Sequence, residues 1–298
     1  MENNTVSGFE MGIWAKAVVP PHDIHRNNPT NNRDGIRVGW GSLPARPTSK
    51  PSWGPFLTLD IWSQVHDNVI EDGVAGVNAS LAHESEVCWD YILLRNYTLA
   101  VLYVGHAELF GNWIGNHTED GVRVRSYVNA TLPTVREPWA NLTRNRVANN
   151  SHGVHLQGTV WNGTTYPAWA NVTGNNTIGS FGAIPGNAYG VWVDAATTNL
   201  TAFRLWWNDV RSNGEGVHVT GDPPGADFFH AECNWWNSAG GPYDPTPVAF
   251  GPPDENQNPS GQPVSDYFWY RELPPISPRK TWLNNTIDAP GTICIVVP

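Results

Sequence analysis

The sequence predicts an all-β chain, a parallel β-helix in which short strands stack coil upon coil. Three observations carry that prediction. A glycine, a branched apolar residue, an outward-reading residue and a small or apolar one recur as Gly35-Ile36-Arg37-Val38, Gly76-Val77-Asn78-Ala79, Gly121-Val122-Arg123-Val124, Gly153-Val154-His155-Leu156, Gly190-Val191-Trp192-Val193 and Gly216-Val217-His218-Val219. An asparagine precedes each glycine but one at a near-constant interval: eight residues at Asn27, Asn68, Asn145 and Asn208, nine at Asn112, and fourteen at Asn176 across an insertion. The phrase after the asparagine also repeats, as Asn68-Val69-Ile70, Asn112-Trp113-Ile114, Asn145-Arg146-Val147, Asn176-Thr177-Ile178 and Asn208-Asp209-Val210. A period of roughly 30 to 40 residues with alternating strands inside it marks a stacked repeat architecture.

Physical chemistry selects among the repeat folds. Helical solenoids need apolar residues three and four apart, whereas Val-x-Val has a period of two. One such strand cannot bury its inner face alone, so each coil must cover the next. The glycine is expected to supply a positive-φ turn ahead of the strand. The asparagine is expected to satisfy turn amides and to stack on its equivalents in neighbouring coils.

The elements follow in order. Residues 1–26 are expected to form an N-terminal strand or cap, with Gly8 to Pro20 as its strand-like part. Residues 27–244 are the array. Arg46 to Pro55, Trp161 to Trp169 and Ile178 to Ala188 are loops expelled from it, and Trp236 aligns with inward Ile70, Ile114, Val147, Ile178 and Val210 as a plug for the core. Residues 245–298 read as an extended proline-rich arm ending in an apolar strand, Thr292 to Val297, with no visible partner. Such terminal strands either cap their own open edges or complete the edge of a neighbouring copy by strand addition.

The phrase Asn-x-Val-x-x-Asn-x-x-Gly-Val-x-Leu, clearest from Asn145 to Leu156, resembles the right-handed parallel β-helix repeat of pectate-lyase-like and NosD-like proteins. Cys233-Asn234-Trp235-Trp236-Asn237-Ser238-Ala239-Gly240-Gly241-Pro242 resembles the phrase that closes such arrays in archaeal exported proteins. The resemblance spans roughly residues 27 to 244. It implies a right-handed coil and an exported, archaeal-type surface protein. It does not choose an activity, because that superfamily holds enzymes, binding modules and scaffolds.

Composition points outside the cell. Charged residues are only 15% of the chain and the net charge is −10, which disfavours nucleic acid as a partner. No run of about 18 apolar residues is present to span a membrane, and residues 1 to 20 lack a basic start followed by an apolar core. Twelve Asn-x-Ser/Thr sequons occur, at Asn3, Asn78, Asn96, Asn116, Asn129, Asn141, Asn149, Asn162, Asn171, Asn175, Asn199 and Asn284. Chance would give roughly four. Dense N-glycosylation would hydrate a surface so poor in charge. Three cysteines, Cys88, Cys233 and Cys294, allow one disulfide; Cys233 to Cys294 would pin the tail to the last coil, but the odd count leaves the pairing open.

Candidate chemistry lies on the outer face. Alternation sends Arg37, Asn78, Arg123, His155, Trp192 and His218 outward, at about 4.8 Å spacing between coils. Hydrogen-bonding groups and rings in such a column suit a polysaccharide. Trp139, Trp161 and Trp169, placed in loops, are further candidates for glycan contact. Glu71-Asp72 and Glu119-Asp120 fall in turns of adjacent register and offer oxygens for a calcium ion bridging coils. No residue is assigned a catalytic role: the acidic and basic sets of the polygalacturonase-like and pectate-lyase-like enzymes are absent, as are serine-triad and cofactor motifs. The expected function is a non-catalytic, glycosylated building block of a surface filament or lattice, joined to itself by strand addition or to surface polysaccharide. The alternatives are a polysaccharide lyase or hydrolase and a carbohydrate-binding adhesin.

Overall fold

The computed structural model describes residues 1–15, 22–39, 56–90, 95–127, 137–200, 202–221, 229–244, 258–264, 268–269, 280–283, 289 and 292–297. The chain is all-β: its described strands form two large, mostly parallel sheets and two small hairpin sheets. Among the described residues, no helix is long and apolar enough to cross a membrane.

One repeat shows how the sequence becomes structure. Trp139–Thr143, Arg146–Ala148 and His152–Gln157 are three strands separated by two corners. Each pairs in parallel with its equivalent one repeat earlier and one repeat later. The chain thus lays down three rows of strands. The middle row, of three-residue strands, is a seven-stranded sheet in strict chain order. The two outer rows are wings of a fifteen-stranded sheet, joined through the long antiparallel pairing of Ala75–Asp90 with Arg95–Phe110. We call the row carrying Gly-Val-x-Val the glycine wing and the other the leading wing.

The middle row sends one column of side chains into the core and each wing sends two. Ile36, Val77, Val122, Val154, Val191 and Val217 stand in consecutive register along the glycine wing, all fully buried. Ile70, Ile114, Val147, Ile178 and Val210 do the same along the middle row. Val65, Leu109, Leu142, Val172 and Leu205 complete the core from the leading wing. Full burial of such a side chain is worth about 1.5–3 kcal/mol, and none is available to a single repeat. Trp236 is fully buried beyond Val210 and closes the column as expected.

The corners are held by two buried ladders of amides. Asn27, Asn68, Asn112, Asn145, Asn176, Asn208 and Asn234 each accept, at Oδ1, the backbone N–H and the side-chain amide of the preceding ladder residue, Asn4 included. From Asn68 onward each amide also donates across the corner to a backbone carbonyl of the previous coil. The second corner carries His117, Asn150, Asn187, Asn213 and Gln262 in the same arrangement. A buried amide without partners costs several kcal/mol. Here each rung satisfies its neighbour.

The structure departs from the sequence expectations in five places. The six repeat glycines do not have positive φ; the left-handed corner positions are taken by residues such as Asn116, Asp72, Arg144 and Asn149. Glycine is needed for room instead: a Cβ on Gly121 would lie 2.8 Å from the Gly153 carbonyl oxygen and 2.8 Å from Val147 Cγ1. Residues 1–26 do not form a separate cap, because Thr5–Ser7 and Met11–Ala15 pair in register with Asn28–Thr30 and Asp34–Gly39 as a further repeat. Trp161 to Trp169 is not a loop; Thr159–Trp161 and Thr164–Tyr166 make a hairpin, and Trp139 and Trp169 both open strands of the leading wing. The apolar tail has a partner within the chain, since Cys294–Val297 pairs antiparallel with Lys280–Leu283. Finally, the Ala75–Asp90 and Arg95–Phe110 pairing was not foreseen. Arg46 to Pro55 lies outside the described residues.

The two ends of the stack differ. At the C-terminal end Gln262 caps the second ladder, and the Gly216 N–H donates to the Pro263 carbonyl at 2.6 Å. Cys233 and Cys294 are joined as a disulfide, and the buried Leu283 donates its N–H to the Asn234 carbonyl, so the tail is docked on the last rung. At the other end, Thr5–Ser7 and Met11–Ala15 are edge strands among the described residues.

Candidate functional site

The outer face of the glycine wing carries a column of side chains that alternation does not predict. In each repeat the glycine and the branched residue after it are both buried, so the chain bends there and the residue before the glycine also faces out. Positions three apart therefore stand side by side. Asp34 meets Arg37, Asp120 meets Arg123, and His218 Nδ1 lies 2.9 Å from Glu215 Oε2. The same spacing brings together the rings of His152 and His155, with centroids 5.0 Å apart, and of Tyr189 and Trp192, also 5.0 Å apart.

The predicted column Arg37, Asn78, Arg123, His155, Trp192 and His218 is in consecutive register. It is not an open face throughout. Arg37 is 3% exposed and Asn78 fully buried, with the Asn78 amide donating to Asp34 at 3.1 Å. The accessible stretch runs from Arg123 to His218, and its second column is Asp120, His152, Tyr189 and Glu215.

Asp120 is the centre of this stretch. Its side chain is fully buried, and Oδ1 lies 2.7 Å from His152 Nδ1 and 3.0 Å from His155 Nδ1. Oδ2 accepts from Arg123 Nε, and the same guanidinium reaches Glu119. Burial alone would raise the Asp120 pKa. The hydrogen bonds from His152 and His155, and the charges of His155 and Arg123, outweigh it and hold the carboxyl well below the usual range. Trp192 stands edge-on to His152 at 4.3 Å and Tyr189 stacks on it at 5.7 Å.

The calcium quartet is not assembled. Glu71 accepts the Trp113 indole N–H at 2.6 Å, Asp72 is an exposed left-handed corner, and Glu119 and Asp120 are both committed to Arg123. Among the described residues, the group close enough to share an ion is Asp120, His152 and His155. The two histidines were missed as partners because i, i+3 spacing places residues on opposite faces of a regular strand. The bend at Gly153 brings them to one face.

The leading wing has its own outer face. Trp62, His106, Trp139 and Trp169 stand in register with ring centroids 4.9–5.6 Å apart. Beside them runs the polar column Gln64, Glu108, Asn141 and Asn171, and a depression lined by Gln64, His66, Glu108, Phe110 and Asn141.

The sequons sort by position. Asn3, Asn149, Asn162 and Asn175 are exposed, and Asn116 is half-buried; all five have left-handed φ between 49° and 64° at corners or turns. Asn141 and Asn171 are half-buried on strands, and Asn199 donates its amide to Glu137. Asn78 is a correction, since its buried amide leaves no room for a glycan in the folded chain. Asn129 and Asn284, and the side chain of Asn96, lie outside the described residues.

No protein-family model, curated protein or solved structure matches this chain.

Proposed function

We propose that this chain is a right-handed parallel β-helix, exported and N-glycosylated, that serves as a non-catalytic building block of a cell-surface filament or lattice. The observation that carries the proposal is the placement of five sequon asparagines at left-handed corners and turns, four of them exposed. These positions lie outside both ladders and the core. The Asn149 amide donates to Asn116 Oδ1 of the neighbouring coil at 2.8 Å, and that nitrogen keeps one N–H when it carries a glycan. Three rows of parallel strands, two of whose junctions are short corners, support the coil, and parallel crossovers are overwhelmingly right-handed. Acidic side chains of the repeat serve as structural partners, Asp34 and Asp120 to arginines and Glu71 to Trp113, which favours a scaffold over a hydrolase. With the tail strand paired inside the chain, the N-terminal edges Thr5–Ser7 and Met11–Ala15 are the surfaces for strand addition. Intact-mass and glycopeptide analysis of the native protein tests this reading. Glycans at Asn149, Asn162 and Asn175 are expected, and a bare polypeptide mass would remove it.

A second reading has one specific observation in its favour. The Trp62, His106, Trp139, Trp169 row beside Gln64, Glu108 and Asn141 pairs stacking faces with hydrogen-bonding groups, the combination that holds sugar rings. Cosedimentation with insoluble polysaccharide, compared between the native chain and Trp139→Ala, tests it. Equal retention of the two proteins counts against a carbohydrate-binding face.

A further inference from the structure

We propose that Asp120, His152 and His155 form a binding site for a first-row transition ion, zinc being the natural occupant of such a donor set, on the outer face of the glycine wing. Asp120 comes from one repeat and both histidines from the next, in directly paired register, so an ion there would staple two coils.

The donor atoms are already gathered. One donor atom from each of Asp120, His152 and His155 lies within 4.8 Å of the others, and Asp120 Oδ1 is 2.7 and 3.0 Å from the two Nδ1 atoms. An ion bound at about 2.0–2.2 Å to imidazole nitrogen and carboxylate oxygen holds tetrahedral donors roughly 3.3–3.6 Å apart. The two oxygen–nitrogen distances would therefore widen by less than about 1 Å to admit it. An ion takes the place of the Nδ1 protons between the rings and the carboxylate, so each imidazole would ligate as the neutral tautomer with its proton on Nε2.

The surroundings are those of a supported site. Asp120 needs only Oδ1 for the ion, because Oδ2 is held by Arg123, and a ligating carboxylate is commonly fixed by such a second hydrogen bond. His152 is wedged between the Tyr189 face and the Trp192 edge, and the Trp192 indole is itself tied to Thr220 at 3.2 Å. Both histidines are half-buried rather than enclosed, so a hydrated ion can reach them. Two imidazoles and one carboxylate select zinc or its transition-metal neighbours over calcium, which wants six or more oxygens. Three protein ligands leave further positions for water.

The test uses the full chain with zinc alone as the probe, by isothermal titration and by metal analysis after dialysis. One equivalent of zinc is expected on the native protein. His152→Ala and His155→Ala should each weaken binding at least about tenfold, with strand content preserved by circular dichroism. His218→Ala, two repeats beyond His155 on the same column, should bind as the native chain does. Cobalt(II) should give a visible ligand-field spectrum that either histidine substitution abolishes. Failure of the native chain to bind zinc overturns the site. So does zinc binding that is unchanged in both histidine variants, or lost equally in His218→Ala.

Discussion

Replacing Asn145 by alanine should be among the most damaging changes available on this chain, although it removes no apolar surface. Asn145 sits in the middle of the first ladder and is fully buried. Its Oδ1 accepts the Asn112 N–H at 3.0 Å and the Asn112 amide at 2.9 Å. Its own amide donates to the carbonyls of Leu109 at 2.9 Å and Thr143 at 3.2 Å and to Asn176 Oδ1 at 3.1 Å. Alanine strands the Asn112 N–H and takes a donor from the Leu109 carbonyl, both beyond the reach of water. At about 1–3 kcal/mol for each buried group left without a partner, the loss comes to about 2–6 kcal/mol. The matched control is Asn4→Ala, because Asn4 is exposed at the first rung and supports no rung before it; less than about 1 kcal/mol is expected there. Urea unfolding followed by tryptophan fluorescence reads the difference as a shift in midpoint at constant slope. If Asn145→Ala and Asn4→Ala shift the midpoint equally, the ladder is decoration and the reasoning fails.

Other consequences are open to the same kind of check. Burial lowers the His117 pKa against the opposing hydrogen bond to Asn150 and the charges of Asp72 and Asp120; its Nε2 is buried without an acceptor for a second proton. The unfolded chain therefore binds that proton more readily, so stability should fall as pH drops through 6.5, and His117→Gln should flatten the urea midpoint between pH 7 and pH 5. Gly121→Ala should cost about 1–3 kcal/mol by overpacking, whereas Ser151→Ala, on an adjacent half-buried corner, should change the midpoint little. Glycopeptide mapping should find Asn78 bare on folded protein while Asn162 and Asn175 are occupied. Removing residues 292–298 takes away the disulfide and the strand paired with Lys280–Leu283, so it should lower thermal stability and leave assembly intact; a stable chain that no longer assembles would restore the tail as a docking strand.

Much of the stack is written in the chain because its two requirements are local. A buried column demands a branched residue at every repeat, and a close crossing demands glycine beside it, so Val122 and Gly121 appear together. The first repeat was equally legible: Asn4 precedes Gly12 by eight residues, and Gly12-Ile13-Trp14-Ala15 is the same phrase. No earlier copy frames it as a repeat. The Ala75–Asp90 and Arg95–Phe110 pairing carries no repeat phrase, and its strands run far beyond the coil. The Asp120, His152 and His155 cluster lay beyond alternation, which places His152 and His155 on opposite faces. Only the bend forced by two consecutive buried residues, Gly153 and Val154, brings them together. The second ladder was half visible as Asn150 in the repeat phrase, but His117 and Gln262 fill equivalent rungs with other side chains.

Cryo-electron microscopy of the native material tests the central claim most directly. The account predicts an ordered filament or lattice whose subunits contact through Thr5–Ser7 and Met11–Ala15, with glycan density rising from Asn149, Asn162 and Asn175. Isolated particles bearing no glycan at those corners would contradict it.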